Sequence, residues 1–102
     1  MIFYAGTKQP GEFMPYGVDF GALMDTTETI TPGSSTIKAT RLSDGVDVTA
    51  TFITGTLQVT GTVLKFTTTD GADKTDYSVE LKAWISAAKI LEAEVIIPVR
   101  ED

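Results

Sequence analysis

The sequence predicts an all-β protein, an antiparallel β-sandwich of about seven strands, and three observations support this class. Threonine is the commonest residue, and its branched Cβ suits a pleated strand better than a helix. Turn residues recur at a spacing of about ten residues, as they do between the short strands of sandwiches. Two nine-residue stretches near the C-terminus alternate apolar and polar side chains, which is the period of a half-buried strand.

Length and composition limit what the protein can do. A chain of 102 residues makes one domain with one core. Histidine and cysteine are both absent, which excludes disulfides, a zinc-cysteine cluster, a thiol nucleophile and an imidazole base. The formal charge of -6 would repel a phosphate backbone. We therefore predict a protein that is not an enzyme, with no cofactor, no metal site and no nucleic-acid partner.

The chain shows no targeting segment. Its first residues have neither the basic start nor the apolar run of a signal peptide. No stretch approaches the roughly 18 apolar residues of a membrane span. We expect a mature chain, made in a bacterial cytoplasm, with no membrane partner.

Turn signals in the first two thirds separate four predicted strands. Asp44-Gly45 is the strongest hairpin signal, because a type I′ turn requires positive φ at both central positions. Asp44 and Asp47 are explained as turn and cap residues and not as an acid-base pair. The predicted strands extend over 35–42, 46–53, 56–60 and 62–68.

The last third admits two interpretations. Leu81, Trp84, Ile85 and Ala88 follow helical spacing, which alone would allow a helix over 81–94. Two alternations of period two compete with it, one over 77–85 and one over 91–99, and together they are the longer pattern. We therefore predict a long hairpin closed around Ala87-Ala88. In that hairpin Pro98 requires an edge position, because it has no N–H to donate.

The start of this hairpin carries a further signature. Tyr77 follows Asp73 by four residues and precedes the apolar Val79 by two. This layout occurs at the corner before strand F of immunoglobulin-like sandwiches, where the tyrosine hydroxyl bonds to upstream backbone. The predicted fold is therefore an immunoglobulin-like antiparallel β-sandwich of about seven strands with an extended N-terminal arm.

The opening segment combines helix- and strand-breaking residues with much apolar surface. A first strand near 16–23 is expected to dock on the core. Residues 1–12 are predicted to form an N-terminal arm, and residues 13–102 the sandwich domain. Apolar side chains of the arm, with Phe13, are expected to dock on a neighbouring subunit.

Two further features are candidates for binding. Asp70, Asp73 and Asp76 lie three residues apart in a predicted loop, where they form either a solvated acidic loop or, less in keeping with known loop spacing, a calcium site. Trp84 falls opposite the predicted core in the hairpin register. There it is either covered by the arm, buried in the helical alternative, or exposed as an anchor for a partner or a sugar ring.

Several segments together resemble a family of small phage and prophage proteins, the fiber-tail adaptor or neck-associated virion proteins. The resemblance covers most of the chain after residue 7. It departs at 36–38, where the family has a tryptophan, and at 87–89, where the family has a glycine. The segments that carry the resemblance are Lys8-Gln9-Pro10, Met14-Pro15-Tyr16-Gly17-Val18-Asp19-Phe20, Glu28-Thr29-Ile30, Asp70-Gly71 with Tyr77-Ser78-Val79, and Leu91-Glu92-Ala93-Glu94-Val95-Ile96-Ile97-Pro98-Val99.

This resemblance implies an immunoglobulin-like fold and a structural role in the virion. We expect an adaptor or connector that docks, in multiple copies, between the tail or neck and another virion protein such as a fiber. Its expected partners are those tail or neck proteins and copies of itself. The alternative is a carbohydrate- or surface-binding module in which Trp84 stacks on a sugar. The residues expected to make partner contacts are Phe3, Tyr4, Phe13, Met14, Tyr16 and Trp84.

Overall fold

The computed structural model describes residues 1–101. Eight strands and one short helix follow one another along the chain, with two turns of 3-10 helix at Gly21–Leu23 and Pro32–Ser34. In chain order the elements are β1 (Ile2–Tyr4), β2 (Met14–Asp19), β3 (Thr36–Arg41), β4 (Val46–Asp47), α1 (Thr49–Phe52), β5 (Ile53–Thr60), β6 (Val63–Thr68), β7 (Thr75–Ser86) and β8 (Lys89–Val99).

The strands form two sheets. The larger sheet has the order β1-β8-β7-β3-β4, and the smaller has the order β2-β6-β5. Every pair is antiparallel except β1 and β8, which run parallel. The prediction of an all-β sandwich is confirmed, with eight strands instead of about seven and with one parallel pair.

The long C-terminal hairpin forms the centre of the larger sheet. Val79 lies opposite Val95, and Leu81 lies opposite Ala93, and all four side chains are buried. The alternating pattern is therefore the one the chain uses, because it buries one whole face of two strands. The helix over 81–94 does not form.

The core lies between the two sheets. Both sheets and the segments that connect them contribute apolar side chains to one cluster. Phe52 of α1 stacks on Tyr77 of β7 with ring centroids 4.2 Å apart. The buried apolar residues are Val18, Phe20, Ile30, Ala39, Phe52, Leu64, Phe66, Tyr77, Val79, Leu81, Ala83, Ala93, Val95, Ile97 and Val99.

The tyrosine corner predicted from the sequence is present. The hydroxyl of Tyr77 accepts a hydrogen bond of 2.8 Å from the backbone N–H of Ala72. The loop before it contains two non-glycine residues with positive φ, Asp70 and Lys74. The bond pins this loop to the start of β7.

The predicted strand over 46–53 is wrong beyond Asp47. The carboxylate of Asp47 accepts hydrogen bonds from both the amide and the hydroxyl of Thr49, at 2.9 and 2.7 Å. Side chains that bond to nearby backbone in this way compete with strand pairing. The chain turns into α1 instead and brings Phe52 into the core.

The hairpin at Asp44-Gly45 forms, but its turn is not type I′. Arg41 and Val46 are register partners, so the loop has four residues, and of the predicted central pair only Gly45 has positive φ. The carboxylate of Asp44 instead pairs with Arg41 at 2.7 Å and accepts the amide of Val46 at 3.1 Å. These side-chain bonds hold Asp44 within the longer loop.

The first strand of the domain and the position of Pro98 also differ from expectation. β2 occupies 14–19 and not 16–23, because the carboxylate of Asp19 accepts the amide of Gly21 and starts a 3-10 turn. Pro98 was expected on an edge, but β8 lies between β7 and β1. The nitrogen of Pro98, which has no proton to donate, faces the place where the pairing of β8 with the N-terminal segment is interrupted.

No helix within residues 1–101 is long and apolar enough to cross a membrane.

Candidate interaction surface

The N-terminal residues add a strand to the larger sheet. Phe3 lies beside Val95 in the parallel register of β1 and β8. The amide of Glu94 donates to the carbonyl of Met1 at 2.8 Å, and the amide of Ala5 donates to the carbonyl of Ile96 at 2.9 Å. β1 is consequently an edge strand of the sheet.

This edge carries apolar side chains without protecting charges. Ile2 is 58% exposed, Phe3 42% and Tyr4 80%. The seven residues before Lys8 have no charged side chain. Exposed edge strands in monomeric proteins usually carry charges, prolines or bulges that discourage pairing with another chain. β1 is short, with three residues, but it carries neither a charge nor a proline, and its exposed apolar side chains suit it to contact with a further polypeptide.

The N-terminal segment is anchored by a buried lysine. The side chain of Lys8 is fully buried, and its amino group donates to the carbonyl of Asp70 at 2.6 Å and to that of Gln9 at 3.0 Å. The same amino group lies 5.9 Å from the centre of the Phe52 ring, a cation–π geometry. Burial lowers the pKa of Lys8 below its usual value, while Glu12 and Asp70 act in the opposite direction.

The backbone of Lys8 is held as firmly as its side chain. Its amide donates to the carbonyl of Pro98, and its carbonyl accepts from the amide of Arg100, both at 2.9 Å. Nothing in the local sequence predicts this burial, since an isolated lysine between polar residues is typical of an exposed segment. The sequence singles out Lys8 only as part of Lys8-Gln9-Pro10, one of the segments that carry the family resemblance.

A groove separates β1 from β2 at this side of the sandwich. It has a volume of about 260 Å³ and is mostly apolar. Both strands are sheet edges, so their backbones leave the groove open along its length. Its lining includes Phe3, Tyr4, Tyr16, Val18, Asp19 and Val95.

Tyr16 is one of the groove-lining residues of β2. Its ring stacks on Phe66 with centroids 5.5 Å apart. Its hydroxyl is buried and has no hydrogen-bond partner. Burial raises the pKa of this hydroxyl above its ordinary value, and the charge of Glu12 raises it further. A buried hydroxyl without a partner lowers the stability of the folded state by about 1–3 kcal/mol, because the group has lost its hydrogen bonds to water.

The structure brings three of the six expected contact residues to one groove: Phe3, Tyr4 and Tyr16. Phe13 is 71% exposed just before β2, and Met14 is half-buried at the start of that strand. Both lie on the segment that leads into the groove-lining part of β2 and do not line the groove.

Trp84 lies apart from this groove. It is half-buried near the end of β7, opposite the exposed Ile90 of β8. Its amide donates to the hydroxyl of Ser35, and its carbonyl accepts the amide of Thr31. Ile90 lies five residues before Val95, the groove-lining residue of β8, which is about 17 Å at strand spacing. Trp84 and Ile90 therefore form a separate patch.

The three aspartates of the corner loop have different partners. The carboxylate of Asp73 accepts the amide of Glu101 at 2.8 Å, and that of Asp76 pairs with Arg100 at 2.9 Å. The backbone carbonyl of Asp70 binds Lys8. Within residues 1–101, no group of three or more acidic, histidine or cysteine side chains is arranged to hold a metal ion.

Comparison with known proteins gives a family match over most of the chain. Residues 8–98 match the profile of a family described as Podophage GP4 fiber-tail adaptor protein gp77. The matched range begins at the buried Lys8, and the apolar residues 1–7 precede it. No curated protein and no solved structure matches the chain significantly.

Proposed function

The chain belongs to the podophage GP4 fiber-tail adaptor family, and from this premise we propose that it is a non-enzymatic connector of the phage virion. It docks between the tail or neck and another virion protein such as a fiber, and it works in multiple copies. It assembles in the host cytoplasm before release. A cysteine-free chain suits that reducing compartment.

The observation that carries this proposal is the exposed, uncharged apolar edge at β1 beside an open groove. A partner strand that pairs with this edge would gain backbone hydrogen bonds, and its side chains would enter the groove between β1 and β2. Phe13 and Met14 lie directly before and at the start of β2, which forms one wall of the groove.

A non-catalytic role agrees with the composition. The chain has no imidazole and no thiol, which are the groups most often used as base or nucleophile near neutral pH. The lysine with a shifted pKa, Lys8, is buried against backbone carbonyls in a structural anchor. The groups that surround it serve packing and hydrogen bonding.

The test substitutes the exposed edge without disturbing the anchor. In the double variant Ile2→Ser/Tyr4→Ser, both altered side chains are exposed, so the domain is expected to stay folded. Incorporation into particles should fall by about tenfold or more, because the contact loses two large apolar side chains. The matched control is Leu42→Ser/Val46→Ser, which alters two exposed apolar side chains at the opposite edge of the same sheet.

The outcome is measured as copies per purified particle, with circular dichroism to verify folding. Normal incorporation of Ile2→Ser/Tyr4→Ser would overturn the proposed role of β1. An equal loss in both double variants would show a general effect of surface polarity and would also count against it.

Trp84 is proposed as a second contact, because it lies about 17 Å along the sheet from the groove and cannot share one small ligand with it. In the alternative function its ring binds a sugar. Retention of the wild-type protein on immobilised host glycans, abolished by Trp84→Ala, would favour that alternative. The adaptor proposal expects no retention of either protein.

A further inference from the structure

We infer that β1 is exchanged between copies of this chain: residues 1–5 of one copy leave their own β8 and pair with β8 of a neighbouring copy. This inference rests on the proposed function, in which several copies act together in the virion. It names the partner of the β1 edge as a second copy of this protein. The basis is a weakly held strand, a gap in its pairing and a firm anchor directly after that gap.

β1 is held mainly by its backbone. It has three residues at the edge of the sheet, and most of the surface of Ile2 and Tyr4 faces solvent. Short edge strands with few buried apolar contacts open locally at low free-energy cost. None of the buried core residues belongs to the exchanged segment 1–5, of which Ala5 alone packs against the core cluster, so detachment leaves the cluster itself in place.

The pairing of the N-terminal segment is interrupted after Ala5. The amide of Ala5 bonds to Ile96, and the next bond joins the amide of Lys8 to the carbonyl of Pro98. The N–H and C=O of a strand residue point to the same side, so the nitrogen of Pro98 faces this interval and has no proton to donate. Gly6 has open space where a side chain would lie. These features make residues 6 and 7 a hinge.

Lys8 confines the movement to the residues before it. Its buried side chain and both of its backbone groups are bonded to other parts of the domain. Seven extended residues reach about 23 Å at roughly 3.3 Å each. The two shorter dimensions of the molecule are 23 and 22 Å, so the released segment can reach a copy packed side by side.

The receiving site is already complementary, because every copy has the same β8 edge and the same groove. Pairing with a neighbour's β8 restores the backbone hydrogen bonds that detachment breaks, which is why exchange of identical elements is a low-cost route to assembly. The exposed side chains of Ile2 and Tyr4 would then lie at the junction of two copies. Burial of that apolar surface would favour the exchanged arrangement.

The chain contains no cysteine, so engineered disulfides report the exchange directly. Ile2 and Glu94 are register partners on β1 and β8. Particles assembled from a mixture of the single variants Ile2→Cys and Glu94→Cys can form a disulfide between these positions only across copies. Mild oxidation should give a covalent dimer band on non-reducing gels, at least about tenfold stronger than in the control.

The control mixture combines Lys38→Cys with Glu80→Cys. These residues are register partners within β3 and β7, which belong to the fixed part of the sheet. Absence of a dimer above this control, in particles that contain both Ile2→Cys and Glu94→Cys chains, would overturn the exchange. A strand from a different virion protein on β8 would give this same negative result.

A second measurement separates exchange from simple display of β1. The double variant Ile2→Cys/Glu94→Cys, oxidised as a monomer before assembly, ties β1 to its own β8. Exchange predicts that this locked chain fails to incorporate until a reductant is added, whereas a displayed edge would tolerate the lock. Normal incorporation of the locked chain, together with loss of incorporation in Ile2→Ser/Tyr4→Ser, would overturn the exchange and leave the proposed function standing.

Discussion

The amino group of Lys8 donates a 2.6 Å hydrogen bond to the backbone carbonyl of Asp70, 62 residues further along the chain. Asp70 begins the loop that the Tyr77 hydroxyl pins at Ala72. The N-terminal segment, the corner loop and the start of β7 are therefore joined through one small cluster. This cluster lies where the N-terminal edge segment ends and the rest of the domain begins.

We expect Lys8→Ala to reduce the free energy of unfolding by about 2–4 kcal/mol, because it removes a buried aliphatic stem and two hydrogen bonds. Lys8→Met, which keeps the stem, should lose about 1–2 kcal/mol. Urea denaturation monitored by fluorescence measures both values. Lys65→Ala, at an exposed position of β6, is the control and should change stability by less than about 0.5 kcal/mol. Equal stability of Lys8→Ala and the control would contradict the anchoring role.

The two buried tyrosine hydroxyls should respond in opposite ways to the same substitution. Tyr77→Phe leaves the amide of Ala72 without a partner and should cost about 1–3 kcal/mol. Tyr16→Phe removes a hydroxyl that has no partner, so it should be neutral or stabilise by up to about 1 kcal/mol. Thermal and urea unfolding of the two variants provide the comparison. A similar loss in both would show that Tyr16 has a hydrogen bond after all.

Acid should destabilise the fold through surface carboxylates that accept hydrogen bonds. Bonds from the Thr62 hydroxyl and the Gly21 amide lower the pKa of Asp19, and bonds from Thr49 lower that of Asp47. A group whose pKa is lower in the folded state adds stability above its unfolded pKa, about 4 for aspartate, and this contribution disappears as the pH falls through the folded value. Stability should therefore decline as the pH falls below about 4.

The aspartate contribution is tested with Asp19→Asn/Asp47→Asn, which removes both titrating groups. The slope of unfolding free energy against pH below about 4 should become shallower than in the wild type. Asp25→Asn, at an exposed loop position, serves as the matched substitution. An unchanged slope in the double variant would assign the acid response to other groups.

Hydrogen exchange should detect the weak attachment of β1. The amides of Ala5 and Lys8 both donate to carbonyls of β8 at 2.9 Å, yet they lie on opposite sides of the unpaired residues 6 and 7. We expect Ala5 to exchange faster than Lys8 by about tenfold or more, because local opening at the edge leaves the anchor in place. Two-dimensional NMR in deuterated water gives both rates. Equal protection of the two amides would argue against a hinge.

Local pattern predicted the centre of the fold well. The alternation through Val79 and Leu81 specifies which face of β7 is buried, and a shift of one residue would have turned that entire face to solvent. The tyrosine corner was also foreseen, because its two partners lie only five residues apart. Where local side-chain bonds competed with strand pairing, as at Asp47 and Thr49, the prediction failed.

The six expected contact residues stay a prediction, and the structure shows only how they are placed relative to one another. Exposed aromatic residues near the N-terminus pointed to Phe3 and Tyr4, and the structure places them beside Tyr16 in one groove. The alternation within β7 suggested Trp84 as a further contact because it falls opposite the core, but the sheet register separates it from the other two. Aromatic composition identifies candidate contacts, while their grouping depends on strand order.

By itself, the sequence determined the all-β class, the C-terminal hairpin with its buried face, and the exclusion of histidine and cysteine chemistry, because each follows from composition or from neighbours a few residues apart. Only the tertiary structure decided that β1 runs parallel to β8, that Lys8 is buried against Asp70, and that the Tyr16 hydroxyl has no partner. The first two features join segments more than 60 residues apart. The third depends on which polar groups those distant segments bring near the hydroxyl. No periodicity within a single strand encodes contacts at that range.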